Sequence, residues 1–206
     1  RQNLGDLNTI MLGDKLDGVH VDFSHGDVDA FPPTPGSDEV WKEGFSRGGC
    51  QAYTEYRGSA EIRKRLAARL GKFTGRSIEA NSELIITPGT QGALFLALGS
   101  TVDAGTKVAV VEPDYYANRK LVKFFRGDIV PIPLNYKDSQ SENSPDLNRI
   151  EDAFKAGAKV LVFSTPNNPT GLVYSNTTIT KIADFAAIHG VSVIVDQLYS
   201  RMLYSG

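Results

Sequence analysis

From Ser82 onward, short apolar runs alternate with stretches whose apolar residues recur at helical spacing. ELIIT precedes TQGALFLALGS, KVAVVEP precedes YYANRKLVKFF, DIVPIPL precedes PDLNRIEDAFKAG, and KVLVFS precedes TTITKIADFAAIHG, which leads into VSVIVD. Continuous apolar strands separated by helices are what a parallel sheet requires, because each crossover helix shields a strand from water. The pattern therefore predicts an α/β fold, a mostly parallel sheet with helices on both faces, with five strands. Upstream, Ser59 is placed to N-cap a helix in which Ile62, Leu66, Leu70 and Phe73 recur at i, i+4, i+8 and i+11. That spacing predicts one packed face, with Arg63, Lys64 and Arg69 elsewhere on the wheel. Up to about Phe45 the pattern is irregular, and AFPPTPGSD predicts loop, because proline blocks helix and ladder hydrogen bonds. An arm is expected there. KDSQSENSP, between Asn135 and Asp146, reads as a surface loop, and no internal repeat is evident.

Composition narrows the class without choosing a function. The 206 residues suffice for one sizeable core, or one domain and part of another. Hydrophobic residues at 41% and charged residues at 22%, with a mean hydropathy of −0.21, are ordinary for a soluble globular chain and exclude disorder and collagen. The formal charge of −2 comes without a basic block, so no nucleic acid or anionic membrane is expected as a partner. Cys50 is the single cysteine and forms no metal-type spacing with His20, His25 or His189, which points to a reducing, cytoplasmic setting and to no metal. No apolar run approaches the ~20 residues that span a bilayer, and the first residues lack the apolar core of a signal peptide. A start at Arg1 and an end at Gly206, just after a strand-like run, read as cuts in a longer protein.

In an open parallel sheet, ligands lie beyond the carboxyl ends of the strands, so the chemistry is sought in the residues that follow each strand. After ELIIT, Pro88-Gly89-Thr90-Gln91-Gly92 opens a helix whose free N–H groups and positive dipole end suit a phosphate; a plain strand-to-helix turn is the alternative. After KVAVVEP stand Asp114, Tyr115 and Tyr116, an aromatic face for a flat ring or a pair of packing residues. After KVLVFS, Thr165-Pro166-Asn167-Asn168-Pro169-Thr170-Gly171 holds an amide on a proline-stiffened turn, or is simply a polar loop. After VSVIV, Asp196 leaves an apolar strand with Tyr199 three residues on. A buried carboxylate costs several kcal/mol unless it meets a cation or several donors, so Asp196 needs a partner or serves as a helix N-cap. Together these clusters offer a phosphate cradle, an aromatic face, an amide, an acid and a phenol at one sheet edge. A phosphorylated, cationic aromatic cofactor needs that set.

The segments YTEYRGSAEIRKRLA, IITPGTQGALFLAL, VVEPDYYANRKLV, FSTPNNPTG and VDQLYSRMLYSG resemble the class I/II aminotransferases of fold-type I over nearly the whole chain. PNNPTG followed by Asp196-x-x-Tyr199 is the most diagnostic pair. The resemblance implies pyridoxal 5'-phosphate as cofactor, with the phosphate at Gly89 and the N–H groups of Thr90 and Gln91. It puts Tyr115 on the pyridine ring, Asn168 and Tyr199 on the phenolic oxygen, and Asp196 on the protonated ring nitrogen, with Asp196 and Tyr199 as the catalytic residues present. Tyr53, spaced from Gly58 as in the family, would reach the phosphate of a neighbouring subunit, so a homodimer is implied. Gly26 matches the position near the substrate carboxylate. Residues 1–45 then form an N-terminal arm and the start of the small domain, and residues 46–206 the N-terminal portion of the large cofactor-binding domain. The rest of that domain and the C-terminal small domain are expected outside the chain, along with the lysine that carries the cofactor and the arginine that grips the substrate carboxylate.

The implied activity is amino-group transfer between an amino acid and a 2-oxo acid, in amino acid metabolism. Without its lysine the chain as given is not expected to transaminate, whereas its parent is. Gln197 stands where the family commonly has glutamate, removing a charge beside Asp196. Lyases, decarboxylases and oxidases share the implied pocket, and an effector-sensing domain of a transcription regulator is an alternative of another class.

Overall fold

The computed structural model describes residues 32–47, 53–136 and 143–203. The chain divides into two units, Arg1–Tyr53 and Thr54–Gly206. In the first, the expected irregular arm holds a helix, α1 (Ser37–Ser46), where the proline-rich run ends at Gly36 in the left-handed conformation (φ +82°). Asp38 and Glu39 stand in its first turn, where they complement the free N–H groups. Proline excluded helix only upstream of that turn. Gly26, Cys50, His20 and His25 lie outside the described residues, as does most of the expected 137–145 loop.

The second unit is built on a four-stranded, wholly parallel sheet in the order β2-β1-β3-β4, with β1 at Lys107–Glu112, β2 at Asp128–Pro133, β3 at Val160–Ser164 and β4 at Ser192–Asp196. Side chains alternate across a strand, and here both faces are covered. Val108, Val110, Val160 and Val162 pack on one face with Leu98, Val102 and Val122, while Ala109, Val111, Leu161 and Phe163 pack on the other with Ile150, Phe154, Ile182 and Ala186. The covering residues come from helices α3 (Gly89–Gly99) and α4 (Tyr116–Phe124), with Val102 just after α3, on the first face, and from α5 (Leu147–Lys155) and α6 (Asn176–His189) on the second. Residues 108–111 and 160–163 are all at most 1% exposed, and each fully buried valine contributes about 1.5–3 kcal/mol. The three-layer arrangement is the one the sequence predicts.

Two elements differ from expectation. ELIIT forms no strand; Ile86 donates its N–H to Arg57 O, and no neighbouring strand among the described residues offers the segment a ladder. The helix predicted after Ser59 runs as α2 (Ala60–Thr74) and begins at that cap, but it buries Arg63 and Ala67, while Ile62 and Phe73 stand half exposed. Arg63 is drawn inward because its guanidinium is satisfied on all sides: it donates to Gly58 O, Ala80 O, Asn81 Oδ1 and Glu55 Oε2, the last at 2.8 Å. Periodicity located the helix but not the buried face.

The chain leaves β1 for β2 on one side and then returns past β1 to β3 on the other. The strand order thus reverses between β1 and β3, and a parallel sheet opens a crevice at the carboxyl ends of such a pair.

Candidate active site

At that crevice lies a cavity of about 250 Å³ lined by Thr90, Gln91, Leu94, Tyr115, Ser164, Asn168, Asp196, Leu198 and Tyr199. The structure thus brings together Thr90, Gln91, Tyr115, Asn168, Asp196 and Tyr199, six residues singled out in the sequence. Gly89 begins the helix that carries the first two. Tyr53 stands in the other unit and is fully exposed, and Gly26 lies outside the described residues.

Each wall has a local cause. Gly89 adopts φ +74°, a conformation that glycine enters without a Cβ penalty, and the hydroxyl of Thr87 donates to Gly89 O at 2.9 Å, fixing the turn. Gly89 N–H donates to Thr87 O at 2.8 Å, while the next N–H groups, of Thr90 and Gln91, have no partner inside the helix and open at this end with the positive pole of the helix dipole. α3 packs on β4 and α4, so its start is held over the sheet edge. Tyr115 immediately precedes α4, with its ring 4.7 Å from that of Tyr116 at a tilt of 54°. The neighbouring Tyr116 hydroxyl, and then burial, raise the Tyr115 phenol above its ordinary value, so it stays protonated.

The two asparagines of PNNPTG separate in role. Asn167, 2% exposed, binds its own loop and ties it to the turn after β1: Oδ1 accepts from Thr170 N and Thr170 Oγ1, and Nδ2 donates to Pro113 O. Asn168 lines the cavity, with its backbone N–H given to Ser164 Oγ at 3.2 Å. Asp196 closes β4 at 8% exposure. Its Oδ1 accepts from Leu198 N at 3.0 Å, and the residues after it form turns, so it caps no α-helix. Among the described residues no ion pair reaches it. A nearly buried carboxylate with one backbone donor and no cation leaves an acid free to pair with a positive group in the cavity.

Beside this wall Asp114 is partly buried, and that burial lifts its carboxyl above the ordinary carboxylate value; hydrogen bonds from Ser164 oppose the rise, and the charge of Asp196 adds to it. The sequence names Asp114 without giving it a task, and Ser164 is absent from the expected site. The signal for Ser164 was a hydroxyl at the end of an otherwise apolar run, KVLVFS.

Chemically, the cavity offers free N–H groups at a helix start, an aromatic face, an amide, a phenol and a buried acid. A flat, cationic, phosphorylated ring uses each of them.

Comparison with known proteins places the chain among relatives of one kind. The family described as aminotransferase class I and II matches residues 20–206. Kynurenine–oxoglutarate transaminase 3 of Mus musculus is 30% identical over 192 residues, covering 90% of this chain and 42% of the relative. Aspartate aminotransferase of Sulfolobus acidocaldarius is 31% identical over 159 residues, covering 77% and 39%. Among solved structures, an aspartate aminotransferase from Rhodobacter sphaeroides superposes with a TM-score of 0.88 at 56% identity, covering 94% of this chain and 50% of that one. The chain spans half or less of the length of these relatives.

Proposed function

The chain belongs to the aminotransferase class I and II family, and on that premise we propose that its full-length protein uses pyridoxal 5'-phosphate to transfer an amino group between an amino acid and a 2-oxo acid. The observation that carries this reading is the gathering of Thr90, Gln91, Tyr115, Asn168, Asp196 and Tyr199 around one cavity, with the acid buried and unpaired with any cation among the described residues. The family is pyridoxal phosphate-dependent, and the donor set fits that group. When bound, the cofactor supplies an electron sink for the charge left as a bond to the substrate's α-carbon breaks.

The chain's own residues hold and polarise it. The N–H groups of Thr90 and Gln91, with Gly89 giving the turn, bind the phosphate dianion. Tyr115 covers one ring face, and Asn168 and Tyr199 donate to the phenolic oxygen. Asp196, 8% exposed, would keep the ring nitrogen protonated by pairing with it. Tyr53, fully exposed, would reach the phosphate of a neighbouring subunit in a homodimer, and the family resemblance assigns Gly26 to the substrate carboxylate. Residues 1–45 serve as arm and start of the small domain, and 46–206 as the first portion of the large domain. The relatives' printed activities make aspartate and 2-oxoglutarate the first pair to test. The single cysteine supports a reducing, cytoplasmic setting.

The full-length protein should develop a visible absorbance band with pyridoxal phosphate that borohydride abolishes, and should convert aspartate and 2-oxoglutarate to oxaloacetate and glutamate. A protein that takes up no cofactor overturns the reading. One that takes it up but moves no amino group from any amino acid restricts the reading to cofactor binding.

A further inference from the structure

Asp114 is the most heavily hydrogen-bonded acid near the cavity, yet it does not line it. Its Oδ1 accepts from Tyr115 N at 2.6 Å, from Ser164 Oγ at 2.6 Å and from Asn118 Nδ2 at 3.3 Å, and its Oδ2 accepts from Ser164 N at 2.8 Å. An ionised carboxylate can only accept, so the one proton of the Ser164 hydroxyl is committed to it. The lone pairs of Ser164 Oγ are then left to receive Asn168 N at 3.2 Å and Asn167 Nδ2 at 3.4 Å. One carboxylate thereby fixes the direction of every bond in a relay from the turn that carries Tyr115 to the loop that carries Asn168. The relay crosses from the end of β1 to the end of β3, the point where the strand order reverses and where no ladder bond continues beyond the strands.

We propose that Asp114, acting through Ser164, is a positioning residue for the cofactor pocket, setting the separation and orientation of Tyr115 and Asn168. The proposal rests on the reading of the cavity as a pyridoxal phosphate site. Two features set this role apart from ordinary packing. Asp114 and Asp196 are close enough to repel, so a second acid is kept near the catalytic one despite the cost of burying it. Its four donors also come from both sides of the crevice, where a fold-stabilising bond could stay within one segment.

The test compares full-length wild type, D114N and S164A by cofactor dissociation constant, by visible circular dichroism of the cofactor-saturated protein and by melting of the cofactor-free protein. Asparagine keeps the shape at 114 but faces one donor with another, and alanine at 164 removes only the hydroxyl. Both variants should bind pyridoxal phosphate about tenfold or more weakly. At saturation both should also show an altered visible dichroic band, because that band reports the orientation of the ring in its asymmetric walls. Wild type that binds cofactor, beside variants with unchanged affinity and dichroism, overturns the proposal while leaving the cofactor site standing, whatever happens to melting. Wild type that binds no cofactor removes the site and this role with it. Should D114N fail to fold, S164A decides alone.

Discussion

Replacing Asp196 with asparagine in the full-length protein isolates the charge of the buried acid from its shape. The amide oxygen can still accept from Leu198 N, a bond of 3.0 Å, so the turn after β4 should persist. What disappears is the negative charge, 8% exposed and without a cation among the described residues. A hydrogen bond between charged partners contributes about 1.5–3 kcal/mol, and each 1.4 kcal/mol is a factor of ten. The cofactor dissociation constant should therefore rise about 10- to 100-fold. Turnover should fall further, by roughly 10²–10³-fold, as when a preorganised charge stabiliser is removed from other active sites. The cofactor-free protein should melt at or above the wild-type temperature, since an uncompensated buried charge has been replaced by a neutral amide. Titration followed by visible absorbance, steady-state kinetics and scanning calorimetry read the three quantities. Affinity and turnover both within about twofold of wild type would refute the assignment. A lower melting temperature of the cofactor-free form would instead show that Asp196 stabilises the fold.

Arg63, buried, and Asp114, partly buried, lie outside the cavity wall and each predicts an outcome. Arg63→Ala removes four hydrogen bonds from a side chain 3% exposed, but Glu55 at 56% exposure and exposed Asn81 can turn to water, so it should cost about 1–3 kcal/mol in a denaturant titration, whereas loss of an ordinary surface arginine would cost well under 1 kcal/mol. Asp114, faced by Asp196 and Tyr174, is raised by burial above the reference 3.8, so the folded chain binds more protons than the unfolded one just above that pH. Its contribution is therefore most favourable below pH 3.8 and is lost as pH rises through the folded-state value. The stability difference between wild type and D114N should decline across that window and then level off; a difference that grows with pH contradicts the sign.

The site loops were legible because there a single residue type changes the local physics. Gly89 in an apolar context, two prolines bracketing two asparagines, and Asp196 closing a run of branched residues are each costly or unusual unless they meet something. The sheet was legible for a related reason: residues apolar in both parities, as in Val108–Val111, can only be covered on both faces. Periodicity failed where the deciding partner was remote in sequence. Ile62, Leu66 and Phe73 outnumber Arg63 on the helical wheel, yet Ala80 and Asn81 supply acceptors that bring the arginine inward, and nothing within α2 announces them. ELIIT is apolar enough for a strand, but a strand exists only if another backbone pairs with it, and its amide at Ile86 is taken by Arg57. Ser164 and Asp114 are the same case at the active site. Each shows no more than a polar group beside an apolar run in its own segment, and the link between them, 50 positions apart, comes into being only when the strand order reverses. The residues proposed to touch the cofactor could thus be read from local chemistry, and the pair proposed to aim them could be read only from topology.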